Sequence, residues 1–243
     1  MDVAPILAVI AGTLVAGFAS GLAGFAFVLV ASGVFLQAIE PRTAVPVLVL
    51  LSLIGQVFNI LQFVKLMRWQ RLWPYLLGGA LGVPLGVMLL QAVEPRPFKA
   101  AVGALMVAYA GWQLWARPAV VLGFGRWADG MVGIGGGVLG GFAGLSGALP
   151  TVWAGLQGWT KDQQRAVYQP FIVVIHMLCL AAFGGEGLLD REVGLLVLVG
   201  LPALAFGQVL GMRLYRRIDD QVFRRIVLWL LLASGLSLLA PLG

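Results

Sequence analysis

The sequence predicts an all-α polytopic membrane protein, and three observations lead to that fold class. Of the 243 residues, 60% are apolar and only 11% are charged, whereas soluble domains carry about 25% charged residues. The charges fall in short groups between apolar stretches of about 17 residues or more, a length that spans about 30 Å of hydrocarbon. Two glycine-rich stretches, around residues 21–24 and 133–147, interrupt the apolar pattern. This composition excludes a water-soluble globule.

The two halves of the chain resemble one unit that has been duplicated. Residues 21–25 (GLAGF) match residues 141–145 (GFAGL), and later glycines match in the same order with a nearly constant offset. The later matches are Gly82 with Gly207 and Gly86 with Gly211. We therefore predict three segments: a first transmembrane repeat over 1–116, a cytoplasmic connecting loop over 117–128, and a second transmembrane repeat over 129–243.

Each half contains one long, glycine-broken apolar stretch and three ordinary spans. Lipid requires every backbone polar group to be satisfied internally, so the spans are predicted to be helices. In the first half they cover residues 4–38, 45–64, 72–93 and 98–116. In the second half they cover residues 130–159, 167–184, 193–214 and 223–240.

Positive charges distinguish two ways in which the long stretches can meet the membrane. Lys and Arg accumulate in cytoplasmic loops. If each stretch forms a hairpin and returns to its own side, one side of the membrane holds 12 of the 16 basic residues. These are Lys65, Arg68, Arg71, Arg117, Arg126, Lys161, Arg165, Arg213, Arg216, Arg217, Arg224 and Arg225. Single crossings give an almost unbiased 10 against 6. We therefore predict two inverted-topology repeats, each a broken helical hairpin plus three transmembrane helices, with both termini periplasmic.

The turn of the second hairpin is predicted at residues 144–147 (GLSG). Glycine tolerates a positive φ, Ser146 is expected to cap the returning helix, and Pro150 fits the first turn of that helix. Each hairpin is expected to consist of two short helices that meet near the bilayer midplane. The upstream glycines recur at every fourth position, as in closely packed membrane helices: Gly133, Gly137 and Gly141.

A helix break inside the membrane offers free N–H groups and a positive helix N-terminus, which together suit an anion. Neutral polar residues within the spans are further candidates, since polar groups are costly in lipid. The predicted substrate-binding residues are Gly21, Gly24, Phe25, Gln56, Asn59, Gly144, Ser146, Gly147, Gln169 and His176. Hydrogen bonding between helices stays open as the role of Gln56 and Asn59, and a structural core role stays open for His176.

Several function classes lack their residues in this sequence. All ten carboxylates lie at or near span ends, so the usual buried acid of a proton or sodium relay is missing. One histidine and one cysteine provide no metal cluster. No phosphate-binding P-loop motif occurs, which excludes ATP hydrolysis. We expect no cofactor and no nucleic-acid partner.

Four segments of the sequence are distinctive in combination: "GFASGLAGFAFVLV", "GGFAGLSGALPTVWAGLQGWTKDQQRAV", "LPALAFGQVLGMRLYRRID" and "FRRIVLWLLLASGLSLL". They resemble the motifs of the TauE/SafE sulfite exporter family, also called the toluene sulfonate uptake permeases. The resemblance covers nearly the whole chain as two copies of one unit. It implies movement of small organosulfur or carboxylate anions across the bacterial inner membrane. Where family members often carry two prolines after the Ser-Gly pair, this chain has Ala148-Leu149-Pro150.

The leading hypothesis is a secondary transporter or facilitator for a small anion, namely sulfite, an organosulfonate or a small carboxylate. It would act by alternating access at a midplane site between the repeats. An anion-selective channel and, less favoured, an intramembrane enzyme that uses Ser146 and His176 are the alternatives. The expected surroundings are the lipid bilayer and the small anionic substrate, and homo-oligomer formation is left open.

Overall fold

The computed structural model describes residues 3–60, 67, 69–115, 125–215 and 220–240, and most of these residues are helical. No strand occurs within these ranges, so the all-α fold class is confirmed. The helices are α1 (Val3–Ala23), α2 (Phe27–Ala38), α3 (Pro41–Ile60), α4 (Trp69–Ala92), α5 (Pro95–Trp115), α6 (Arg126–Ala143), α7 (Ala148–Leu156), α8 (Lys161–Gly185), α9 (Arg191–Tyr215) and α10 (Asp220–Leu239).

Four helices of the described residues are long and apolar enough to cross a membrane, judged by length and composition. They cover Val3–Leu22, Trp69–Ala92, Gln163–Gly185 and Arg191–Leu214. Three of them confirm ordinary spans predicted from the sequence. The other three ordinary spans form helices at the expected positions but do not meet both criteria within the described residues.

The helices form two compact units, and each unit takes helices from both halves of the sequence. The first unit comprises Met1–Gly55, Val93–Ala116 and Leu189–Gly243. The second comprises Gln56–Ala92 and Arg117–Leu188. The predicted sequence repeats therefore do not coincide with the compact units. The repeat boundaries stay a prediction.

Within the first unit, α1 packs closely against α9 and folds back on α2. A methyl group at Gly12 would lie 2.9 Å from the Phe35 ring and 3.2 Å from Cβ of Val34. The chain therefore reverses direction between α1 and α2. The amide of Gln37 on α2 donates to Oγ of Ser237 on α10 at 2.8 Å.

Within the second unit, α4 packs closely against α6, and α8 packs against both. The ring of Tyr75 on α4 meets the ring of Phe171 on α8 edge to face, with centroids 6.3 Å apart. The first turn of α8 is closed by a capping box, in which Thr160 Oγ1 accepts from the backbone N–H of Gln163 and the Gln163 side chain accepts from the N–H of Thr160.

Glycines bring the helix backbones together in both units, and they do so at equivalent positions. Residue numbers differ by 120 between α1 and α6 and by 125 between α4 and α9. A methyl group on each glycine would press against a carbonyl oxygen of the partner helix, and each of four such contacts in one unit has its counterpart in the other. In each contact below, the glycine is named first and the residue whose carbonyl oxygen it faces is named second. The equivalent contacts are Gly137–Gly79 and Gly17–Leu204, Gly141–Val83 and Gly21–Gln208, Gly82–Ile134 and Gly207–Leu14, and Gly86–Val138 and Gly211–Phe18. This correspondence supports the duplication.

The expectation of two short arms in each hairpin is wrong. The first arms, α1 and α6, have 21 and 18 residues, or about 31 and 27 Å, whereas α2 and α7 have only 12 and 9 residues. The glycines at positions 133, 137 and 141 stay helical because each lies against the backbone of α4, where packing offsets their low helix propensity. Their predicted packing role is confirmed, and the break comes only at Gly144.

Candidate functional site

The break between α6 and α7 is built on one glycine in the left-handed conformation. Gly144 has φ 73°, and its N–H donates to the Gly140 carbonyl at 2.8 Å. The N–H of Leu145 donates to the carbonyl of Leu139 at 3.0 Å and thereby closes the end of α6. The backbone N–H groups of Ser146 and Gly147, which follow, donate to no acceptor within the described residues. They are buried free donors immediately before α7.

The proposed N-cap role of Ser146 is wrong, since Gly147 occupies the cap position without a side-chain cap bond. The Ser146 hydroxyl instead lies 2.9 Å from Nε2 of His176 on α8. The same Nε2 lies 3.1 Å from the carbonyl oxygen of Gly144. The prediction for Pro150 is confirmed, because it lies in the first turn of α7.

This geometry decides which nitrogen of His176 carries the proton in the neutral ring. A carbonyl oxygen only accepts hydrogen bonds, so the short contact with Gly144 requires Nε2–H. Nδ1 then keeps its lone pair, and it has no hydrogen-bond partner in the described structure although the residue is 1% exposed. Buried polar atoms without partners are uncommon. Nδ1 is therefore a buried hydrogen-bond acceptor that no donor satisfies within the described residues.

Two glycines of α6 that the sequence analysis did not select make room for Ser146. A methyl group at Gly136 would lie 3.0 Å from the Ser146 carbonyl oxygen, and one at Gly140 would lie 3.1 Å from its Cβ. Ser146 itself is 0% exposed. The high density of glycines in residues 133–141 indicates close packing around this segment. It does not show which glycines contact α4 and which contact Ser146.

The remaining candidates from the second half lie on α8. Gln169 is buried, and its Oε1 has no partner among the described residues. It precedes His176 by seven residues, which places both side chains on one face of α8 about 10 Å apart. Gln56 is buried in α3, and the Asn59 side chain lies outside the described residues.

The first-half break shares its backbone with the second but not its polar side chains. Gly24 has φ 80°, and its N–H donates to the Ser20 carbonyl at 2.7 Å. Ala26 stands where the second half has Ser146, and Phe25 is half-buried. Gly21 does not lie at the break but within α1, against the backbone of α9. The structure therefore gives Gly21 a packing role, and the contributions of Gly24 and Phe25 to binding stay a prediction.

A polar cluster at the start of α6 escaped the sequence analysis. Oδ1 of Asp129 accepts from the Tyr75 hydroxyl at 2.7 Å and from Nε1 of Trp153 at 2.8 Å. In the sequence, Asp129 is only one of ten carboxylates that lie at or near span ends. No group of three or more His, Cys, Asp or Glu residues that could hold a metal ion lies in the described part of the chain.

Comparisons with known proteins agree with these observations. A family model described as sulfite exporter TauE/SafE matches residues 9–238. A protein of Comamonas testosteroni described as "Probable inner membrane transporter protein TsaS" is 32% identical over 179 residues, covering 70% of this chain and 72% of that protein. No solved structure matches the chain significantly.

These similarities, together with the apolar helices, describe a multi-pass protein of the bacterial inner membrane. The family match covers nearly all of the described helices. This protein therefore belongs to the TauE/SafE sulfite exporter family and is a membrane transporter, not an enzyme.

Proposed function

We propose that the protein is a secondary transporter or facilitator that moves a small oxyanion across the inner membrane by alternating access. Sulfite, organosulfonates and small carboxylates are the substrate classes. The observation that carries the proposal is the buried group of donors at the α6–α7 break: the free N–H groups of Ser146 and Gly147, with the Ser146 hydroxyl bonded to His176.

The chemistry of this group favours an anion over a cation. The N-terminus of α7 carries about half a positive charge, and N–H groups that point away from the helix suit oxygen atoms with negative charge. A singly protonated oxyanion supplies both acceptor oxygens for these donors and one hydroxyl donor.

The serine–histidine pair has the spacing of a hydrolytic dyad, but its hydrogen bonding argues against that role. A general base must offer a lone pair to the serine hydroxyl. Here the contact with the Gly144 carbonyl requires a proton on Nε2, the atom that faces Ser146. The pair therefore suits binding rather than nucleophilic attack, in agreement with a family of transporters.

The predicted orientation belongs to the proposal as well. Exposed tryptophans lie beside the basic segments at the start of α4, the end of α5 and the start of α6. These are Trp69, Trp73, Trp112, Trp115 and Trp127. Tryptophan concentrates at membrane–water interfaces, and basic residues concentrate in cytoplasmic loops. The tryptophans support an interfacial location for these helix ends, and the basic residues support their cytoplasmic side and therefore periplasmic termini.

Uptake of radiolabelled sulfite into proteoliposomes that contain the purified protein tests the proposal. We expect saturable uptake that unlabelled sulfite inside the vesicles accelerates, because a carrier returns faster when it is loaded. Competition by a panel of sulfonates and small carboxylates then ranks the substrate classes. Ohmic, non-saturable current would support a channel instead, and absence of flux for sulfite and for every competitor would overturn the proposal.

A further inference from the structure

Three side chains from three helices meet at one oxygen atom near the start of α6, and we name this group the Asp129 clasp. Its members are Asp129 on α6, Tyr75 on α4 and Trp153 on α7. Both donors bond to Oδ1 of Asp129, at 2.7 and 2.8 Å. Tyr75 is fully buried. The clasp therefore joins the short return arm α7 to the closely packed pair of α4 and α6.

The equivalent positions of the first unit show that the fold does not require this clasp. With the offsets of 120 and 125, Asp129 corresponds to Val9, Tyr75 to Gly200 and Trp153 to Gly33. A methyl group at Gly200 would lie 3.2 Å from Cγ1 of Val9. The same position in the duplicated architecture is therefore filled by apolar packing in one unit and by a hydrogen-bonded carboxylate in the other.

A second contact attaches the segment that follows α7. The guanidinium carbon of Arg71, in the first turn of α4, lies 5.1 Å from the ring centroid of Trp159. Both attachments hold the α7 segment by its C-terminal portion and involve the N-terminal part of α4. The opposite end of α7 carries the free N–H groups of Ser146 and Gly147.

We propose that Asp129 is a positioning residue for transport: the clasp holds α7 against α4 and α6 so that the donors at its start face the anion. The inference rests on the proposed function, in which the α6–α7 break binds the substrate. Opening the clasp frees the return arm, the one arm of this hairpin that is too short to span the membrane. Asp129 acts through α7 and does not touch the substrate.

Kinetics of sulfite uptake test the proposal through the substrate affinity. Asp129→Ala removes the shared acceptor, and we expect it to raise KM by about tenfold, the equivalent of about 1.4 kcal/mol. Asp129→Asn keeps an acceptor oxygen, so its KM stays within about twofold of the parent value. Tyr75→Phe and Trp153→Phe each remove one donor and keep a ring, and each should show an intermediate increase. Glu192 is an exposed carboxylate in the first turn of α9. Glu192→Ala is therefore the matched control and should leave KM for sulfite uptake unchanged.

A spin label reports the position of α7 without reference to transport. Gly155 on α7 has open space around it, so Gly155→Cys in a Cys179→Ala background accepts a label without disturbing neighbours. We expect Asp129→Ala to increase the mobility of this label and Asp129→Asn to leave it unchanged. A label at Gly194→Cys on α9, which also faces open space, should not respond to either change.

Two results would overturn the positioning role. One is unchanged label mobility at position 155 in Asp129→Ala. The other is equal loss of affinity in Asp129→Asn and Asp129→Ala, which would assign the effect to charge rather than to the shared acceptor. If the parent protein takes up neither sulfite nor any of the competing anions, the proposed function fails, while the label still decides whether the clasp holds α7. If Asp129→Ala does not fold, the two phenylalanine variants carry both measurements.

Discussion

At the residue scale, the α6–α7 break depends on a glycine whose backbone no other residue adopts without cost. Gly144 has φ 73°, a region where a side chain costs about 1–2 kcal/mol. The sequence predicted the break at residues 144–147 although the glycines from 133 to 141 also permit a positive φ, and the structure confirms that position. Packing against α4 keeps those glycines helical. Their four-residue spacing predicted the packing, but it did not identify α4 as the partner helix.

The first prediction compares Gly144, which lies at the break, with Gly155, which lies in the helix that follows it. Gly144→Ala should destabilise the protein by about 1–2 kcal/mol because of its φ. Gly155→Ala, in a helical conformation with open space around it, should be neutral or stabilise by up to about 1 kcal/mol. Thermal unfolding in detergent measures both. Equal melting temperatures for the two variants would contradict the role assigned to the left-handed backbone at position 144.

The sequence identified Ser146 and His176 as candidates but assigned Ser146 the wrong contact. Serine before a helix favours an N-cap, and the sequence paired Ser146 with His176 only in the less favoured enzyme alternative. His176 provides a competing partner from a helix 30 residues further along the chain. The tertiary hydrogen bond prevails because both groups are buried and an unsatisfied buried polar group costs about 1–3 kcal/mol.

At the element scale, glycine stripes set how closely the helices approach. The matches of Gly82 with Gly207 and of Gly86 with Gly211 were visible in the sequence, and the structure gives them the same contacts in the two units. The unequal arms of the hairpins were not predictable in the same way. The position at which a membrane helix ends depends on the helix that packs against it. The sequence alone does not reveal which helix that is.

The second prediction tests whether substitution of equivalent glycines destabilises the protein to a similar extent. Gly82→Ala would press against the Ile134 carbonyl and Gly207→Ala against the Leu14 carbonyl, so each should destabilise by about 1–3 kcal/mol through overpacking. Gly194→Ala in α9, which meets no neighbouring atom, is the control and should not lower the melting temperature. A loss at only one of the two equivalent positions would argue against matched packing in the two units.

At the scale of the whole molecule, the charge distribution and the observed chain reversals both indicate that each glycine-broken stretch forms a hairpin. The sequence predicts hairpins because they place most basic residues on one side. The close approach of Gly12 to Phe35 and the bond between Asp129 and Trp153 show that both broken stretches fold back on themselves. The membrane sides of the loops follow from charge alone and stay a prediction.

The third prediction places three exposed positions relative to the membrane. In a Cys179→Ala background, single cysteines at Trp69 and Arg213 should react with an impermeant maleimide only from the cytoplasmic side. A cysteine at Arg191 should react only from the periplasmic side. Labelling of inside-out and right-side-out vesicles measures this. Single crossings would place positions 69 and 191 on one side and position 213 on the other, and that pattern would exclude inverted repeats.

The most direct test of the central claim is the affinity for sulfite after removal of one hydroxyl group at the break. Ser146→Ala should raise KM for sulfite uptake by about 10–100-fold, since a hydrogen bond to a charged group is worth about 1.5–3 kcal/mol. Ser32→Ala removes a buried hydroxyl on α2 that bonds to the Leu29 carbonyl, and it should leave KM unchanged. An unchanged KM in Ser146→Ala, with folded protein at the parent level, would contradict anion binding at the α6–α7 break.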